Sequence, residues 1–355
     1  MATSGVSGSV LLGACLVITG CGDGAPALHG ELWTEADALF HQDPRWIGGD
    51  GAHSVDLGDE RVLWAFGDSI INQDRTREST QSRMIRNSVA IQTGYDPSRA
   101  FIRFYWQQAD GEAGSYLPED GEQWYWPGDG VRRGDRLLWF VGKVYQRSPG
   151  AWGFASAGSG ARLVDNPDDE PTNWNLMELD VDAPSNVDLG TEVIVEEPWL
   201  YVYGISGDAH SPVLVRYDVE RAFAGDFSGG EWWTGDGFGS VAKREPLFLI
   251  GAPSFSVTWA EPLESWVFCS GFGFGPNAVT VRTAPALTGP WSQPTDVIRP
   301  PESFWPDAFV YAVKAHAELE GADLVATYVP ESYADLPPSY YETLYYPHFV
   351  RISYR

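Results

Sequence analysis

The chain has 355 residues, enough for one large or two ordinary domains with a substantial buried core. Its 49 acidic and 23 basic residues give a formal charge of −26, a field that repels phosphate backbones and argues against nucleic acid as a partner. Sixteen Trp, 16 Tyr and 17 Phe supply flat apolar faces on which sugar rings stack, although all-β cores also use aromatics simply to pack.

In chain order, the first distinct segment is residues 9–20, SVLLGACLVITG. This apolar run is too short to span a bilayer and reads as a signal-peptide core. Ile18-Thr19-Gly20-Cys21 resembles the recognition box of bacterial lipoproteins, in which the cysteine is lipidated and becomes the first residue. One feature departs from that pattern: residues 1–10 contain no Lys or Arg. The reading predicts a lipoprotein signal peptide at 1–20 and a lipidated tether and entry segment at 21–45. It also predicts membrane attachment through Cys21 and a location in the cell envelope or at the cell surface of a bacterium. Cys269, in the alternating stretch SWVFCSG, is predicted to be a buried small hydrophobe. The six His are scattered and no Cys/His zinc spacing occurs, so no metal ligands are assigned.

A helical turn or two is predicted over 31–40; beyond it, strand signals recur. HSVDLG (53–58), RVLWAFGDS (61–69), RLLWFVGKVYQ (136–146), VLVRYDV (213–219), AVTVRTA (278–284) and AFVYAVKAH (308–316) are short and rich in β-branched and aromatic residues. Gly, Pro or Asp turns separate them. Long alternation of strands with helices is missing, so the class is all-β. Loose units beginning near residues 50, 130, 195, 255 and 307 suit a β-propeller, whose radial repetition protects strand edges. A pair of β-sandwiches is the alternative from pattern alone. The last strand, HFVRISYR, is expected to complete a blade begun near the N-terminus and so close a ring. Residues 46–355 are read as one domain. The loop-like segment 107–130, with its Trp-Tyr-Trp cluster, is a candidate binding surface.

An ordered set of motifs carries a family resemblance. GGDGAHSVDLGDERVLWAFGDS, RMIRNSVAIQTG, WPGDG (126–130), EPWLYVYG (197–204), EWWTGDGFG (231–239), VTVRTAPALTGPWS (279–292) and YYPHFVRISY (345–354) are among its members. Together they resemble a bacterial family formerly of unknown function that includes endo-D-arabinanase glycoside hydrolases with a five-bladed β-propeller. The resemblance implies that fold, and hydrolysis of a furanosyl-rich polysaccharide with D-arabinan as the best single substrate. It also makes Asp50 of GGDG, Asp68 of FGDS and the adjoining Arg86 and Asn87 candidate site residues. One position departs: related sequences often carry an acid before the hydrophobic-Ser-Val element of the fourth blade, and here PSFSVTW places Ser254 there.

The residues fit such chemistry independently. Glycosidic cleavage commonly uses two carboxyl groups across the bond. Asp50 lies between glycines, where the chain bends tightly; Asp68 ends a strand that would hold it rigidly. Each acid serves equally well as a turn cap. Either is assigned the nucleophile or base role, the other orienting the sugar or tuning a neighbour. For the proton donor the candidates are Asp307, before the strand AFVYAVKAH, and Glu178, Glu196 and Glu245. Arg86 would pair with a catalytic carboxylate and Asn87 would bind a sugar hydroxyl. Trp124, Trp126, Trp232, Trp233 and Trp305 are candidate stacking surfaces, and His316 and His348 candidate cavity residues. No cofactor is implied beyond one structural cation in a propeller channel. Two other readings remain: an exo-acting furanosidase or transglycosidase, and a surface lipoprotein that binds glycan or protein without cleaving it. Oligomeric state is left open.

Overall fold

The computed structural model describes residues 28–72, 82–109, 111–150, 153–207, 209–249, 251–272, 277–334, 340 and 343–354. The signal peptide and Cys21 of the sequence reading lie outside these residues.

Alternation of apolar and polar side chains produces strands throughout, and they pair in chain order. Among the described residues five antiparallel sheets of four or five strands result, besides two smaller sheets of two and three strands, and each of the five begins with a long strand that faces the next one's first strand: His53–Gly58, Gln123–Arg133, Val187–Glu196, Phe255–Ala260 and Ala308–His316. The predicted unit starts fall within a few residues of these inner strands. The third sheet has five strands and the others four. Five apolar clusters fill the spaces between neighbouring sheets. One, for example, joins Val55, Leu63 and Ala65 of the first sheet to Leu137, Trp139 and Val141 of the second. A hydrogen bond of 2.6 Å from Ser54 Oγ to His316 Nδ1 links the first inner strand to the last. The arrangement is all-β and related to the five-bladed β-propeller, and the sheets are called blades below. Cys269 is fully buried in the fourth blade, as the alternation predicts.

Closure joins the two ends of the chain in one sheet, as the sequence reading expects, but that sheet is the fifth blade: His348–Tyr354 pairs with Leu324–Ser332 as its third strand. Its free edge is then covered by Leu28–Leu32, in register from Leu28 opposite Tyr354 to Leu32 opposite Val350. An unpaired edge strand is a liability, and the N-terminal segment removes it. Residues 28–45, read from sequence as tether and entry segment, include a strand of the fifth blade. The predicted helical turns are present but shorter, an α-turn at Thr34–Asp37 and a 3-10 turn at Ala38–His41, because residues 31 and 32 are claimed by the closing strand.

Candidate active site

Asp50 and Asp68 meet at the end of the blades where the inner strands begin. The Asp50 backbone N–H donates to the Asp68 carbonyl at 3.2 Å, and the Gly67 N–H donates to the Asp50 carbonyl at 2.9 Å. Only glycine fits at 67, because a Cβ there would collide with the Asp50 carboxylate. The GGDG and FGDS motifs are therefore one structure: two chain segments crossing closely enough to put two acids side by side.

Donors surround the pair unequally. Asp68 receives the Trp126 indole N–H on Oδ1 at 3.0 Å and the Arg86 guanidinium on Oδ2 at 3.4 Å. Asp50 receives the Tyr311 hydroxyl on Oδ2 at 3.0 Å. Burial, and then the charge of Asp68, push the Asp50 carboxyl up to about 7, with Tyr311 and Tyr345 opposing. Burial also lifts Asp68 above the usual carboxylate range, opposed by Trp126 and Arg86. The outcome is a coupled pair in which the member lacking a cation, Asp50, is the better proton holder.

Tyr345 completes the site from the fifth blade. Its hydroxyl donates to the Asp68 backbone carbonyl at 3.1 Å, and its electrostatic surroundings include Asp50, Asp68 and Glu331. Glu331, opposite Phe309 in the sheet, also acts on Tyr311 and is a third carboxylate of the neighbourhood. Burial raises both tyrosine hydroxyls well above their ordinary value, so they act as neutral donors. Sequence reasoning missed Tyr311, Tyr345 and Glu331, since nothing in their local pattern separates them from packing residues.

The other predicted residues divide. Arg86 lies over the Trp124 ring at 4.2 Å and Trp124 touches Trp126 edge-on at 6.2 Å, so all three stand beside the acids. Arg86 and Trp124, with Glu119, Gly121, Glu122 and the turn at 146–149, line an open cleft of about 530 Å³. The expected binding role of segment 107–130 thus has a surface to act on. Asn87 faces the other way. It is fully buried, donates to the carbonyls of Leu117 and Tyr125 at 3.1 and 2.9 Å and accepts from the Leu117 N–H at 2.6 Å. It sews the segment to the first blade and is not placed to meet a sugar.

Asp307 is an exposed turn residue at φ 47°, without the burial that a proton donor needs. Trp305, two residues before it, packs edge-on against Tyr340 at 4.7 Å. Trp232 is buried in the core between the second and third blades; its alternate position in Glu231–Trp233 points it inward. Trp233, half-buried, packs on Phe238 in the core between the third and fourth blades, at 5.7 Å. His348 is buried and bonded to Asp37 and the Thr343 carbonyl, each at 2.9 Å. Glu178 pairs with Arg162 at 3.4 Å on an outer strand, and Glu196 and Glu245 are exposed. None of these joins the acid pair.

His316 belongs to a second polar group, inside the channel that the inner strands enclose. A cavity of about 50 Å³ is lined by residues from all five blades, among them His53, Asp129, Glu192, Thr258, Lys314 and Glu318. Asp129 is the acid of WPGDG; it accepts from the Val193 N–H at 2.7 Å, and burial raises it to about 7. Burial lowers Lys314 to about 8, against the pull of Glu192 and Asp129. The channel's positive charge is supplied by the chain itself. Among the described residues no group of three or more His, Cys, Asp or Glu is arranged to hold a metal ion.

Comparisons with known proteins agree with this architecture. A family model described as a domain of unknown function (DUF5005) matches residues 34–354. A "putative hydrolase" from Bacteroides ovatus ATCC 8483 superposes with TM-score 0.71 at 18% identity, covering 92% of this chain and 90% of that one. Zg3597, a family 117 glycoside hydrolase produced by the marine bacterium Zobellia galactanivorans, superposes with TM-score 0.51 at 9% identity, covering 93% and 91%. RS223-beta-xylosidase gives TM-score 0.50 at 12% identity, covering 88% and 95%. At such identities the likeness is one of fold. No curated protein matches the sequence.

Proposed function

The chain belongs to this DUF5005 family of unknown function, and from that premise we propose that it is a five-bladed propeller glycoside hydrolase acting on a furanosyl-rich polysaccharide. The carrying observation is the Asp50–Asp68 pair, with its unequal donors, at the mouth of the blades. Asp50, the proton holder, gives its proton to the glycosidic oxygen as the bond to the anomeric carbon breaks. Asp68, whose charged form Arg86 and Trp126 favour, serves as nucleophile at the anomeric carbon or as the base that takes a proton from the attacking water. Tyr311 and Tyr345 hold Asp50 in place, and the Trp126 ring offers a sugar a face beside the acids. The same fold in proteins named as a family 117 glycoside hydrolase and a xylosidase supports the reaction class.

The substrate proposed is D-arabinan, on the strength of the motif resemblance, and the open cleft beside Arg86 supports internal cleavage of a long chain. The test is digestion of D-arabinan, L-arabinan and galactan with product analysis by mass spectrometry. A ladder of oligomers from D-arabinan is the expected result, and absence of product from every furanosyl polymer would sink the proposal. Export as a bacterial lipoprotein anchored through Cys21 is part of the same reading, supported by the apolar run 9–20 and the Ile-Thr-Gly-Cys box. In bacteria fed a labelled fatty acid, Cys21→Ser should abolish labelling; a labelled variant would refute the anchor.

A further inference from the structure

The inner strands of the second and third blades, Gln123–Arg133 and Val187–Glu196, begin at the same end as the acid pair. Gly128 and Gly190 of adjacent inner strands touch so closely that a Cβ on Gly128 would strike the Gly190 carbonyl. The two strands are therefore level at these glycines. Two residues toward each strand's start, about 7 Å at the rise of a β-strand, lie Trp126 and Asp188. Trp126 donates to Asp68, and its ring also meets Phe154, edge-on at 4.8 Å. Phe154 begins the strand that carries Ser156. Asp68, Trp126, Phe154, Ser156 and Asp188 thus form a continuous rim leading away from the acids.

Asp188 is held for use. The Gly158 N–H donates to Ser156 Oγ at 3.0 Å, so the serine hydroxyl gives its own proton to Asp188 Oδ1. That relay fixes one carboxylate oxygen, and the other has no hydrogen-bond partner among the described residues. The side chain is only half-buried, so this oxygen is open to a ligand. Burial lifts its pKa, while Ser156 and nearby His210 favour the charged form. A fixed carboxylate beside an aromatic edge is a sugar-recognition pair: the ring covers an apolar face, and the carboxylate accepts bonds from hydroxyls.

We propose that Phe154, Ser156 and Asp188 form a glycan subsite flanking the Asp50–Asp68 pair, in which Asp188 accepts hydrogen bonds from hydroxyls of the bound chain. The assignment rests on the glycoside hydrolase reading above and adds a specificity-determining residue to it. Loss of a hydrogen bond to a charged group weakens binding on the order of tenfold or more.

The experiment measures kcat and KM on D-arabinan for the wild type, Asp188→Ala, Asp188→Asn and Ser156→Ala, with melting temperatures to confirm folding. The subsite predicts a KM raised about tenfold in Asp188→Ala, a smaller change in kcat, and partial recovery in Asp188→Asn, which keeps an acceptor oxygen. Ser156→Ala, which leaves the carboxylate present but unoriented, should fall between wild type and Asp188→Ala. An unchanged KM in Asp188→Ala overturns the subsite while leaving the hydrolase reading intact. A kcat loss of a hundredfold at constant KM also overturns it, by making Asp188 part of the chemistry. If the wild type cleaves nothing, affinity electrophoresis through gels containing D-arabinan decides. Retardation of the wild type but not of Asp188→Ala keeps the subsite on a binding protein, and equal mobility removes it. Should Asp188→Ala fail to fold, Asp188→Asn and Ser156→Ala carry the same readouts.

Discussion

Tyr311→Phe removes a single oxygen from the site and leaves the ring to pack on Phe309, 5.3 Å away. The lost hydroxyl donates to Asp50 Oδ2 at 3.0 Å. It stabilises the ionised carboxylate, so its removal must raise the Asp50 pKa from a value already near 7. A hydrogen bond to a charged group is worth about 1.5–3 kcal/mol, and 1.36 kcal/mol corresponds to about one pH unit. Tyr345 remains as a second donor and absorbs part of the effect. The net expectation is an upward displacement of about one pH unit. If Asp50 donates the proton, activity falls at alkaline pH as Asp50 ionises, and this limb of the kcat/KM profile is the one that moves. The assay is kcat/KM from about pH 4 to pH 10 for wild type and variant, with melting temperature as a folding control. A stationary alkaline limb with a displaced acid limb would refute the assignment of Asp50 as acid.

Three further predictions follow from the same contacts. Arg86→Gln removes the cation that favours ionised Asp68, so the acid limb of the profile should move to higher pH and narrow the bell; an unchanged acid limb would contradict the nucleophile or base role. Asn87→Ala deletes three buried hydrogen bonds and strands their backbone partners, which should cost about 2–4 kcal/mol in urea unfolding with the site residues untouched; a loss below about 0.5 kcal/mol would show that the junction repacks. Lys314→Met leaves Asp129 and Glu192 buried without their cation, a loss of about 3–5 kcal/mol. That loss should be larger at pH 8 than at pH 6, because Asp129, raised to about 7 even with Lys314 beside it, takes up a proton at the lower pH; the reverse pH trend in denaturant titrations would refute the account.

How far the sequence reveals this molecule depends on whether the signal is local. Strands announce themselves by period-2 alternation; the inner strands of the first, fourth and fifth blades start close to where the pattern places them, at 53, 255 and 308, whereas the second and third start well before the expected 130 and 195, at 123 and 187. Asp50 and Asp68 are legible because glycines flank one and a rigid strand ends at the other. Arg86 is legible because it adjoins the same motifs. Tyr345 and Tyr311 reach these acids from more than 240 residues away, and ring closure is what brings them there. Lys314 did leave a trace, a lone ammonium in the apolar strand AFVYAVKAH, read there as strand alone. Trp232 and His348 failed as site residues because between packed blades an aromatic or a histidine most often fills space or satisfies a neighbour, and both do so here. Asp307 failed because proximity to an inner strand in sequence does not confer burial.

The central claim is that two carboxyl groups, Asp50 and Asp68, carry out glycoside hydrolysis. Its most direct test is the initial rate of D-arabinan cleavage by wild type, Asp50→Asn and Asp68→Asn, each with an intact melting transition. The account predicts that each variant loses about a thousandfold in kcat, within the roughly 10²–10⁴-fold that a positioned acid or base contributes. A wild-type rate retained to within tenfold by either variant would contradict it.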